Sequence, residues 1–521
     1  MKREQELEKL HKQAVFDVLV IGGGATGLGI AVDAASRGFS TLLVEQNDFA
    51  KGTSSRSTKL VHGGVRYLAQ GDVELVVHAL QERGRIWRNA PHLVKNMRFI
   101  IGAYKWWEKP FYTIGLIVYD ILSGRLGLGR SLPLRRKTVI KEIPGIKQHK
   151  LKGGVVYHDG QFDDARMAIT LAQTAIDHGA VCLNYMKMEA FLKNEAGRII
   201  GAVITDAISG EKREVKAQAV INATGVFVDE IMRMDMPENK KKVKPSQGIH
   251  LVVDAKNLGG RSALMIPKTF DGRVLFCVPW HDKVVIGTTD TPLDEALLEP
   301  KALAEEIDFI LNQANQYLNT ELTRGDVLSV YSGLRPLAAP KNVESKKTKE
   351  ISRSHKIYKS PSGLLTITGG KWTTYREMAA DAVNQSIKIA NLPHKPCVTK
   401  HLKLHGYLKN GETNTWDYVY GSDIQYIHQI MKDDPTSEQL LHPDYPFRKA
   451  HVVRAVREEM ALTVEDMLAR RLRLLFLDAK AAIDVAPMVA SIMASELEKD
   501  KSWEEAQVNE FIIIANNYML N

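Results

Sequence analysis

The stretch Phe16–Glu45, FDVLVIGGGATGLGIAVDAASRGFSTLLVE, decides the fold of this chain. An apolar run, a glycine turn, a helical stretch and a second apolar run follow one another, which predicts strand, turn, helix and strand. The turn GGGATG at residues 22–27 has the glycine spacing of a dinucleotide-binding turn. Glu45 lies 18 residues beyond Gly27, near the offset of about 20 residues at which a carboxylate binds a ribose. The stretch therefore predicts the first βαβ unit of a nucleotide-binding domain.

The residues of this turn have separate physical tasks. Gly22 allows the tight turn, Gly24 lets a pyrophosphate approach the backbone, and Gly27 lets the helix pack closely on the strand. Thr26 lies at the start of the helix, where unpaired N–H groups face the phosphates. An acid at Glu45 disfavours a 2′-phosphate on the ribose. The pattern predicts a bound dinucleotide but does not distinguish NAD from FAD.

Composition and cysteine content limit the class of protein. The chain has 521 residues, of which 44% are hydrophobic, enough for a large core divided over two or three domains. Cys182, Cys277 and Cys397 are far apart and form no CxxC pair, so we expect reduced, buried thiols and neither a disulfide nor a metal site. The charged amino-terminal residues form no secretory signal, and no apolar run approaches about 20 residues. These features favour a cytoplasmic protein.

Positive charge concentrates between Lys95 and Lys150. The segment has twelve lysines and arginines against three acids, a local net charge of +9 that equals the net charge of the whole chain. Its aromatic residues include Trp106, Trp107, Phe111, Tyr112 and Tyr119. Basic residues interleaved with aromatics suit the interface of an anionic bilayer. An ordinary charged face above core aromatics would give the same pattern, and nucleic acid is a weaker third interpretation because no recognition motif accompanies the charge.

The middle and end of the chain predict two further regions. Strand-like segments dominate from about Gly248 to Asp290 and indicate a mainly antiparallel sheet that forms one wall of a site. The buried strand before Thr224 and Gly225 ends in small residues, where backbone can approach a ligand. Residues 340–356 are charged and predict an exposed loop. Helical periodicity dominates from about Lys400 and predicts a small helical domain.

A second informative stretch spans Leu364–Ala380. The strand LLTIT ends at Gly369-Gly370, Lys371 follows, and Thr373 and Thr374 offer N-caps for a helix. Glycines before a helix start, with a lysine beside them, put positive potential where a reduced flavin accumulates negative charge. An ordinary turn with a surface lysine is the alternative when this stretch is considered alone.

Four separated motifs resemble the FAD-dependent glycerol-3-phosphate dehydrogenases. In chain order they are IGGGATGLGIAVDAASRG (21–38), TSSRSTKLVHGGVRYL (53–68), YSGLRPL (331–337) and GGKWTTYREMA (369–379). The resemblance runs from about residue 15 to the C-terminal helical region, so it covers most of the chain. It implies FAD rather than NAD. It also implies an α/β (mixed α+β) fold with a glutathione-reductase-like, FAD-binding Rossmann domain, an antiparallel-sheet substrate domain and a C-terminal helical domain.

The resemblance suggests a division of the chain into six segments. They are the first part of the FAD-binding domain (1–90), the basic and aromatic segment with its possible membrane contact (91–150), a continuation of the FAD-binding domain (151–230), the substrate-binding domain (231–350), a return to the FAD-binding domain (351–395) and the C-terminal helical domain (396–521).

The resemblance also implies roles for individual positions. The expected FAD contacts come from the glycine turn, the second motif and two later turns: Gly22, Gly24, Thr26, Gly27, Glu45, Thr53, Ser54, Ser55, Gly63, Thr224, Gly225, Gly370, Lys371 and Thr373. The expected substrate contacts are Arg66, Tyr67, Arg335, Arg353 and Lys371. The expected catalytic residues are Arg335, Lys371, His250 and Arg66.

These residue types suit the reaction that the resemblance implies, the oxidation of sn-glycerol 3-phosphate to dihydroxyacetone phosphate. Arginine offers a planar fork that binds phosphate oxygens two at a time. Moving a hydride from C2 to flavin N5 also requires a base for the hydroxyl proton. His250 is the preferred base because imidazole titrates near neutral pH. Lys371 is the alternative if its pKa is depressed, or it stabilises the reduced flavin or the alkoxide instead.

The electron acceptor is open at this stage. The resemblance implies transfer to membrane quinone by an enzyme held at the inner face of the cell membrane, and a homodimer is possible. A glycerol-3-phosphate oxidase that reduces oxygen to hydrogen peroxide shares the same flavin motifs. A non-catalytic flavoprotein whose basic face binds nucleic acid is an alternative from another class, although we expect no nucleic acid. An amine or amino-acid oxidase is disfavoured because the expected pocket collects cations suited to a phosphate.

Overall fold

The computed structural model describes residues 1–68, 71–338, 354–409 and 415–520, and for Arg66 it describes the backbone alone. The strands in chain order are β1 (Val15–Ile21), β2 (Thr41–Val44), β3 (Leu60–Val61), β4 (Val94–Ala103), β5 (Leu132–Arg135), β6 (Gly153–Phe162), β7 (Val181–Leu183), β8 (Met186–Lys193), β9 (Ile199–Asp206), β10 (Lys212–Asn222), β11 (Val243–Asp254), β12 (Ala263–Ile266), β13 (Leu275–Trp280), β14 (Lys283–Gly287), β15 (Thr291–Pro292), β16 (Val327–Ala338), β17 (Lys356–Lys359), β18 (Leu365–Thr368), β19 (Leu440–His442) and β20 (Tyr445–Arg448).

The helices connect and cover these strands. In chain order they are α1 (Arg3–Lys12), α2 (Ala25–Ser36), α3 (Val65–Leu68), α4 (Val73–Asn89), α5 (Glu108–Ser123), α6 (Arg136–Glu142), α7 (Asp164–Asp177), α8 (Val228–Asp235), α9 (Ala304–Asn315), α10 (Tyr375–Ala390), α11 (Ile424–Asp433), α12 (Lys449–Glu459), α13 (Leu474–Leu477), α14 (Ala479–Leu497) and α15 (Lys501–Ala515).

The first sheet contains the predicted strand, turn, helix and strand. Strand β1 lies at its centre, in the order β17-β18-β10-β1-β2-β7, and pairs in parallel with β10 and β2. Its residues Val18, Leu19 and Val20 are fully buried, as expected for a parallel strand covered on both faces. Helix α2 packs against both α7 and α10 over this sheet. The chain returns to the same sheet through β18, which pairs in parallel with β10.

The second sheet is mainly antiparallel, in the order β15-β11-β14-β13-β12-β4-β6-β3, with β16 added beside β11 and β5 beside β6. The predicted strand-rich stretch contains β11, β13 and β14, which pair antiparallel. The prediction of an antiparallel sheet is therefore confirmed. The prediction of a mixed α/β fold is confirmed as well. Strands β4 and β6 also belong to this sheet and lie between β12 and β3. The domain boundaries remain a proposal, in which we place β4 and β6 with the substrate-binding sheet.

The C-terminal helices share an apolar core with β11, β13, β14 and β16 of the second sheet, and buried ion pairs join them to the nucleotide-binding sheet. Both Arg470 and Arg471 pair with Asp48, which follows β2. Glu459 at the end of α12 pairs with Arg166 of α7, and all these side chains are buried. Buried charges of this kind are tolerated only as pairs. The helical region is therefore attached to the rest of the protein by matched charges as well as by apolar contact.

The cysteines agree only in part with expectation. Cys182 and Cys277 are buried, and burial raises the pKa of both thiols. The expectation of a buried thiol is wrong for Cys397, which is half-buried because it lies in a polar cluster instead of the apolar core. Its Sγ donates to Asp33 Oδ1 at 3.0 Å and lies 3.1 Å from Thr399 Oγ1. No cysteine in the described part of the chain is paired with another.

Candidate active site

A cavity of about 200 Å³ lies at the carboxyl ends of the parallel strands. Such strand ends are the usual binding place in an open α/β sheet. Its lining includes predicted cofactor contacts from four separate stretches: Gly22, Gly24, Thr26, Glu45, Thr53, Ser54, Thr224, Gly225, Gly370 and Lys371. We call it the nucleotide cavity. The structure thus brings together residues that lie up to 349 positions apart in the sequence.

Two glycines of the turn leave no room for a side chain. A Cβ at Gly22, whose φ is +108°, would lie 2.9 Å from the Ala223 carbonyl oxygen. A Cβ at Gly27 would lie 1.8 Å from the Gly22 carbonyl oxygen. Gly27 is not one of the described residues that line the cavity. Its role is to let α2 approach β1 closely. The close approach of helix and strand aims the amino end of α2 into the cavity.

Glu45 lies at the rim of the nucleotide cavity, as its spacing predicts. Its Oε2 accepts from the Gly23 N–H at 2.7 Å and its Oε1 accepts from the Asn47 N–H at 2.9 Å. Burial raises the pKa of this carboxyl, and the two backbone N–H groups oppose the rise. Each carboxylate oxygen has a second lone pair, so the fixed carboxylate retains acceptor capacity for ribose hydroxyls.

The stretch Thr53–Ser55 divides between the cavity and the core. Ser54 Oγ accepts from the Ala25 N–H at 2.9 Å, which places it at the amino end of α2. Thr53 Oγ1 donates to the Leu334 carbonyl at 2.6 Å and lies at the boundary with a second cavity. Ser55 is buried and, among the residues described around the two cavities, belongs to neither lining. The structure therefore does not bring Ser55 to the expected cofactor site.

Gly63 is the other expected cofactor contact that the described structure leaves outside both linings. A Cβ there would lie 2.4 Å from Leu80 Cδ2 and 2.5 Å from the Tyr119 hydroxyl. The glycine therefore serves close packing below the site. The glycine cradle, the rim acid and the amino end of α2 fit the ADP half of a dinucleotide.

The second cavity has a volume of about 300 Å³ and lies against the antiparallel sheet. One row of paired residues forms its wall, because Gly287 of β14 lies opposite both His250 of β11 and Phe276 of β13. Phe276 in turn lies opposite Met265 of β12. A Cβ at Gly287 would lie 2.3 Å from the His250 ring, so the glycine makes room for the imidazole. We call this the substrate cavity.

His250 is a buried, neutral imidazole in this wall. Its Nε2 lies 2.8 Å from Thr58 Oγ1, and its ring stacks on Tyr331 with centroids 4.8 Å apart. Burial holds the pKa of His250 well below its usual range, and the nearby charges of Lys59 and Arg335 lower it further. An unprotonated imidazole is the form that can accept a proton.

Arg335 of β16 enters the substrate cavity from the neighbouring strand. Its guanidinium donates to the Gln247 carbonyl at 3.1 Å, and to Thr288 Oγ1 and the Thr289 carbonyl at 3.0 Å each. Asp290 Oδ1 lies 3.5 Å away, and a quarter of the arginine side chain stays exposed, 23%. These contacts fix the orientation of the guanidinium, which limits the entropy lost when it binds an anion.

Lys371 and Tyr67 meet at the opposite side of the substrate cavity. The Lys371 ammonium lies 3.9 Å from the centroid of the Tyr67 ring, a cation–π distance. Tyr67 belongs to α3, and Lys371 precedes the short helical turn Trp372–Thr374 that leads into α10. Thr373 also lines this cavity, and its Oγ1 accepts from the His62 N–H at 3.2 Å. Two expected substrate contacts, the Arg66 side chain and Arg353, lie outside the described residues.

The structure adds lining residues that the sequence analysis did not select. They include His62, Arg56, Arg273 and Trp372. His62 and Arg56 belong to the second motif, so that motif is the sequence signal that could have identified them as cavity residues. Trp372 stands inside the fourth motif, and its Nε1 donates to the Ser54 carbonyl at 2.8 Å. Arg273 lies outside all four motifs, in a turn whose position in the cavity follows only from the strand order.

The two cavities meet at the turn Gly369–Trp372, whose residues line both. Gly369 and Gly370 both have positive φ, +82° and +72°, so this backbone path strongly favours glycine. A ligand that fills the nucleotide cavity and passes this turn would present its far end to His250 and Arg335. The geometry suits a two-part cofactor whose reactive ring faces a small anionic substrate.

Comparison with known protein families matches two consecutive regions of the chain. Residues 17–376 match the family described as FAD dependent oxidoreductase. Residues 365–506 match the C-terminal domain of alpha-glycerophosphate oxidase. Together the two matches include both cavities and nearly all of the C-terminal helices.

Similar proteins extend over almost the whole chain. The protein is 40% identical to a probable mitochondrial glycerol-3-phosphate dehydrogenase of Caenorhabditis elegans, over 97% of this chain and 74% of that protein. It is 37% identical to the mitochondrial enzyme of Schizosaccharomyces pombe, over 99% of this chain and 89% of that protein.

A solved structure agrees with these relatives. The X-ray structure of the glycerol-3-phosphate dehydrogenase from Bacillus halodurans, complexed with FAD, has a TM-score of 0.80 and 30% identity, over 99% of this chain and 97% of that one. An alpha-glycerophosphate oxidase from Mycoplasma pneumoniae, at a TM-score of 0.55 and 16% identity, shares the fold. The chain belongs to the family of FAD-dependent glycerol-3-phosphate dehydrogenases.

Proposed function

We propose that this enzyme oxidises sn-glycerol 3-phosphate to dihydroxyacetone phosphate and passes the electrons to a membrane quinone. The observation that carries the proposal is the meeting of the two cavities at residues 369–372, with an oriented arginine, a lysine and a neutral imidazole around the second one. FAD, when bound, supplies the hydride acceptor. The residues described above would hold its ADP half in the nucleotide cavity.

Arg335 is the main phosphate ligand in this proposal. Its oriented guanidinium matches the oxygens of a phosphate, and Tyr67 and Lys371 close the other side of the cavity. Arg66 follows the cavity-lining Val65 on α3, and we propose that it and Arg353 complete the set of cations. The concentration of fixed positive charge favours a dianionic substrate over the zwitterions that amino-acid oxidases bind.

His250 is the proposed general base for the C2 hydroxyl proton. It is neutral and lines the substrate cavity, and Thr58 fixes its ring from behind through Nε2. Lys371 would stabilise the negative charge that develops on the C2 oxygen as the proton leaves.

Anaerobic mixing with glycerol 3-phosphate tests this reaction. The bound flavin of the parent protein should lose its visible absorbance, and Arg335→Ala should raise the substrate concentration needed, because removing a charged hydrogen-bond partner costs about 1.5–3 kcal/mol. Arg324→Ala, which removes an exposed pair with Asp308 outside both cavities, is the matched control and should behave as the parent. A parent protein that keeps its colour would refute the proposed reaction.

Helix α5 supports the membrane route. Phe111, Ile114, Val118 and Ile121 recur along one face at helical spacing, and Phe111, Ile114 and Ile121 are 61%, 67% and 71% exposed. Trp106, just before the helix, is 79% exposed. Lys105, Lys109 and Arg125 lie within or next to α5 in the sequence. Such an arrangement suits the headgroup region of an anionic bilayer. Among the described helices, none is long and apolar enough to cross a membrane.

Sedimentation with vesicles containing anionic lipid tests this contact. Ile114→Asp and Ile121→Asp should each reduce the bound fraction, because each puts a charge where an apolar side chain enters the interface. Ile513→Asp on α15, at a side chain that is 70% exposed, is the matched control and should sediment as the parent does. Equal binding by all four proteins would contradict the membrane contact. We propose that this contact is with the inner face of the cell membrane.

Oxygen is the competing acceptor. Both dehydrogenase and oxidase would use the same two cavities, so the acceptor needs a separate measurement. Quinone-analogue reduction and hydrogen peroxide release, followed together per molecule of substrate oxidised, distinguish them. We expect quinone reduction with little peroxide, and stoichiometric peroxide without quinone turnover would refute the quinone route.

A further inference from the structure

Arg273 lies at the mouth of the substrate cavity, in the turn that joins β12 and β13. It lines the cavity, yet it belongs to none of the four motifs. Phe276 of β13 pairs with Gly287 of the antiparallel strand β14. Arg273 precedes Phe276 by three residues and Asp290 follows Gly287 by three residues, so Arg273 and Asp290 lie at the same end of this strand pair. Arg335 pairs with Ser246, and Ser246 pairs with Pro292. Both arginines therefore lie at the same end of the sheet.

The strand order brings the two arginines within reach of one ligand. Strands β16, β11, β14 and β13 are consecutive neighbours, so the two backbones are about 14 Å apart at about 4.8 Å per strand. An extended arginine side chain spans roughly half of this distance. A phosphate between the strands could therefore accept hydrogen bonds from both guanidinium groups.

The turn around Arg273 holds the residue in place, and its guanidinium lies over the ring of Phe309 on α9, 5.8 Å from the centroid. Thr269 Oγ1 donates to Asp271 Oδ1 at 2.6 Å and accepts from the Arg273 N–H at 3.0 Å. The Phe270 N–H donates to Gln313 Oε1 at 3.2 Å, which fastens the turn to α9. The guanidinium itself pairs with Asp271 through Nε at 2.6 Å and keeps 24% of its side chain exposed.

Arg56 shows how a structural arginine of the same cavity differs. Its guanidinium is buried, pairs with Glu299 and donates to the Ser332 carbonyl. The Nη atoms of Arg273 have no hydrogen-bond partner within the described ranges, and its ion pair with Asp271 is half-exposed and weak. Arg273 can thus exchange partners at little cost, whereas Arg56 cannot.

We propose that Arg273 is a further phosphate-binding arginine, which exchanges Asp271 for the phosphate of the substrate. This inference rests on the proposed function of the same cavity. It makes the hairpin turn a specificity element, because the turn contributes only to binding of the phosphate end. Arg335 then holds the phosphate from β16 and Arg273 from the turn between β12 and β13.

Calorimetric titration of the FAD-loaded protein with n-propyl phosphate tests the proposal. This ester has the phosphate but no C2 hydroxyl, so its binding is measured whether or not the proposed oxidation occurs. Arg273→Gln should raise its dissociation constant about tenfold or more, since a charge-assisted pair is lost. Arg273→Lys should recover part of the affinity because it retains the charge. The rate of flavin reduction at saturating glycerol 3-phosphate should change less than about threefold in Arg273→Gln.

Asp271→Asn gives the opposite sign and separates binding from turn stability. The amide retains the oxygen that holds the turn but removes the competing charge, so the dissociation constant should fall by about two- to threefold. An unchanged affinity in Arg273→Gln would overturn the proposal. Equal weakening in both variants would also overturn it, because that result identifies Arg273 as a support of the turn. Failure of the proposed function would be seen in a separate measurement, in which glycerol 3-phosphate does not bleach the flavin of the parent protein.

Discussion

The nucleotide cavity and the substrate cavity are built from different kinds of parts. The first draws many of its lining residues from short stretches of small residues, such as Gly24–Thr26 and Ala223–Gly225. The second is lined by single large side chains from distant strands, such as His250, Phe276 and Arg335. A backbone cavity depends on residues that must be small, whereas a side-chain cavity depends on which strands are neighbours. The two should therefore fail in different ways when single residues are changed.

The largest effect is expected from Gly27→Ala. The new Cβ would lie 1.8 Å from the Gly22 carbonyl oxygen, so α2 must move away from β1 and the nucleotide cavity must distort. We expect purified protein without bound FAD, measured as the ratio of visible to ultraviolet absorbance. Gly115→Ala is the control, since it is also a helical glycine but its Cβ would meet nothing within 4 Å. Full FAD content in Gly27→Ala would contradict the claim that the nucleotide cavity depends on close backbone contact.

His250→Gln should damage only the substrate cavity. Loss of a general base slows a proton transfer by about 10²–10⁴-fold, so anaerobic flavin reduction should slow by that factor while FAD content stays normal. The pH dependence adds a second measurement. Because the pKa of His250 is well below 6.5, the parent rate should stay level above pH 6.5 and fall only at lower pH. Rates that keep rising above neutral pH would favour Lys371, since a lysine base must first lose its proton.

Lys371→Met should affect both cavities, because residue 371 borders both. The variant loses a positive charge that lies 3.9 Å from the Tyr67 ring centroid. We expect flavin reduction slower by about 10–100-fold, together with weaker FAD retention on dilution, since a charged hydrogen-bonding group contributes about 1.5–3 kcal/mol. A change in one property with none in the other would show that the two cavities are independent at this turn.

The smallest effect is expected from His405→Gln, which should leave both cavities intact. His405 bridges Asp177 Oδ2 at 2.6 Å and Asp423 Oδ2 at 2.9 Å, and these carboxylates raise its pKa to about 9 against the cost of burial. A raised pKa stabilises the fold below pH 6.5, and the stabilisation is lost as pH rises toward 9. The parent should therefore lose free energy of unfolding over this range, and the variant should lose less. Parallel curves from pH 6.5 to 9 would contradict the bridge.

Local sequence patterns predicted the nucleotide cavity better than the substrate cavity. The glycine turn and Glu45 lie where their spacing indicates, because one βαβ unit fixes all of them. Thr374 lies at the predicted N-cap position of α10, but its side chain donates to the Lys371 carbonyl instead of capping the helix. Ser55 and Gly63 were expected at the cofactor and instead support packing, since adjacency within a motif does not decide which side chain faces the cavity.

The substrate cavity required information that no local pattern contains. His250 and Arg335 face the same space because β16 and β11 pair, a register that joins residues 85 positions apart. Arg273 was missed because its turn has no motif and its position depends on four consecutive strands. Strand order of this kind follows from how the whole chain packs, so single-sequence periodicity cannot supply it.

The buried ion pairs that join Asp48 to Arg470 and Arg471, and Glu459 to Arg166, tie the nucleotide half to the last quarter of the chain. A truncation ending near residue 395 would remove the counter-ions of Asp48 and Arg166 together with the helices that contain them. It would also expose Trp280 and Tyr331, which lie in the apolar core of those helices. Excising the helical module to obtain a minimal flavin-binding fragment should therefore yield an insoluble product.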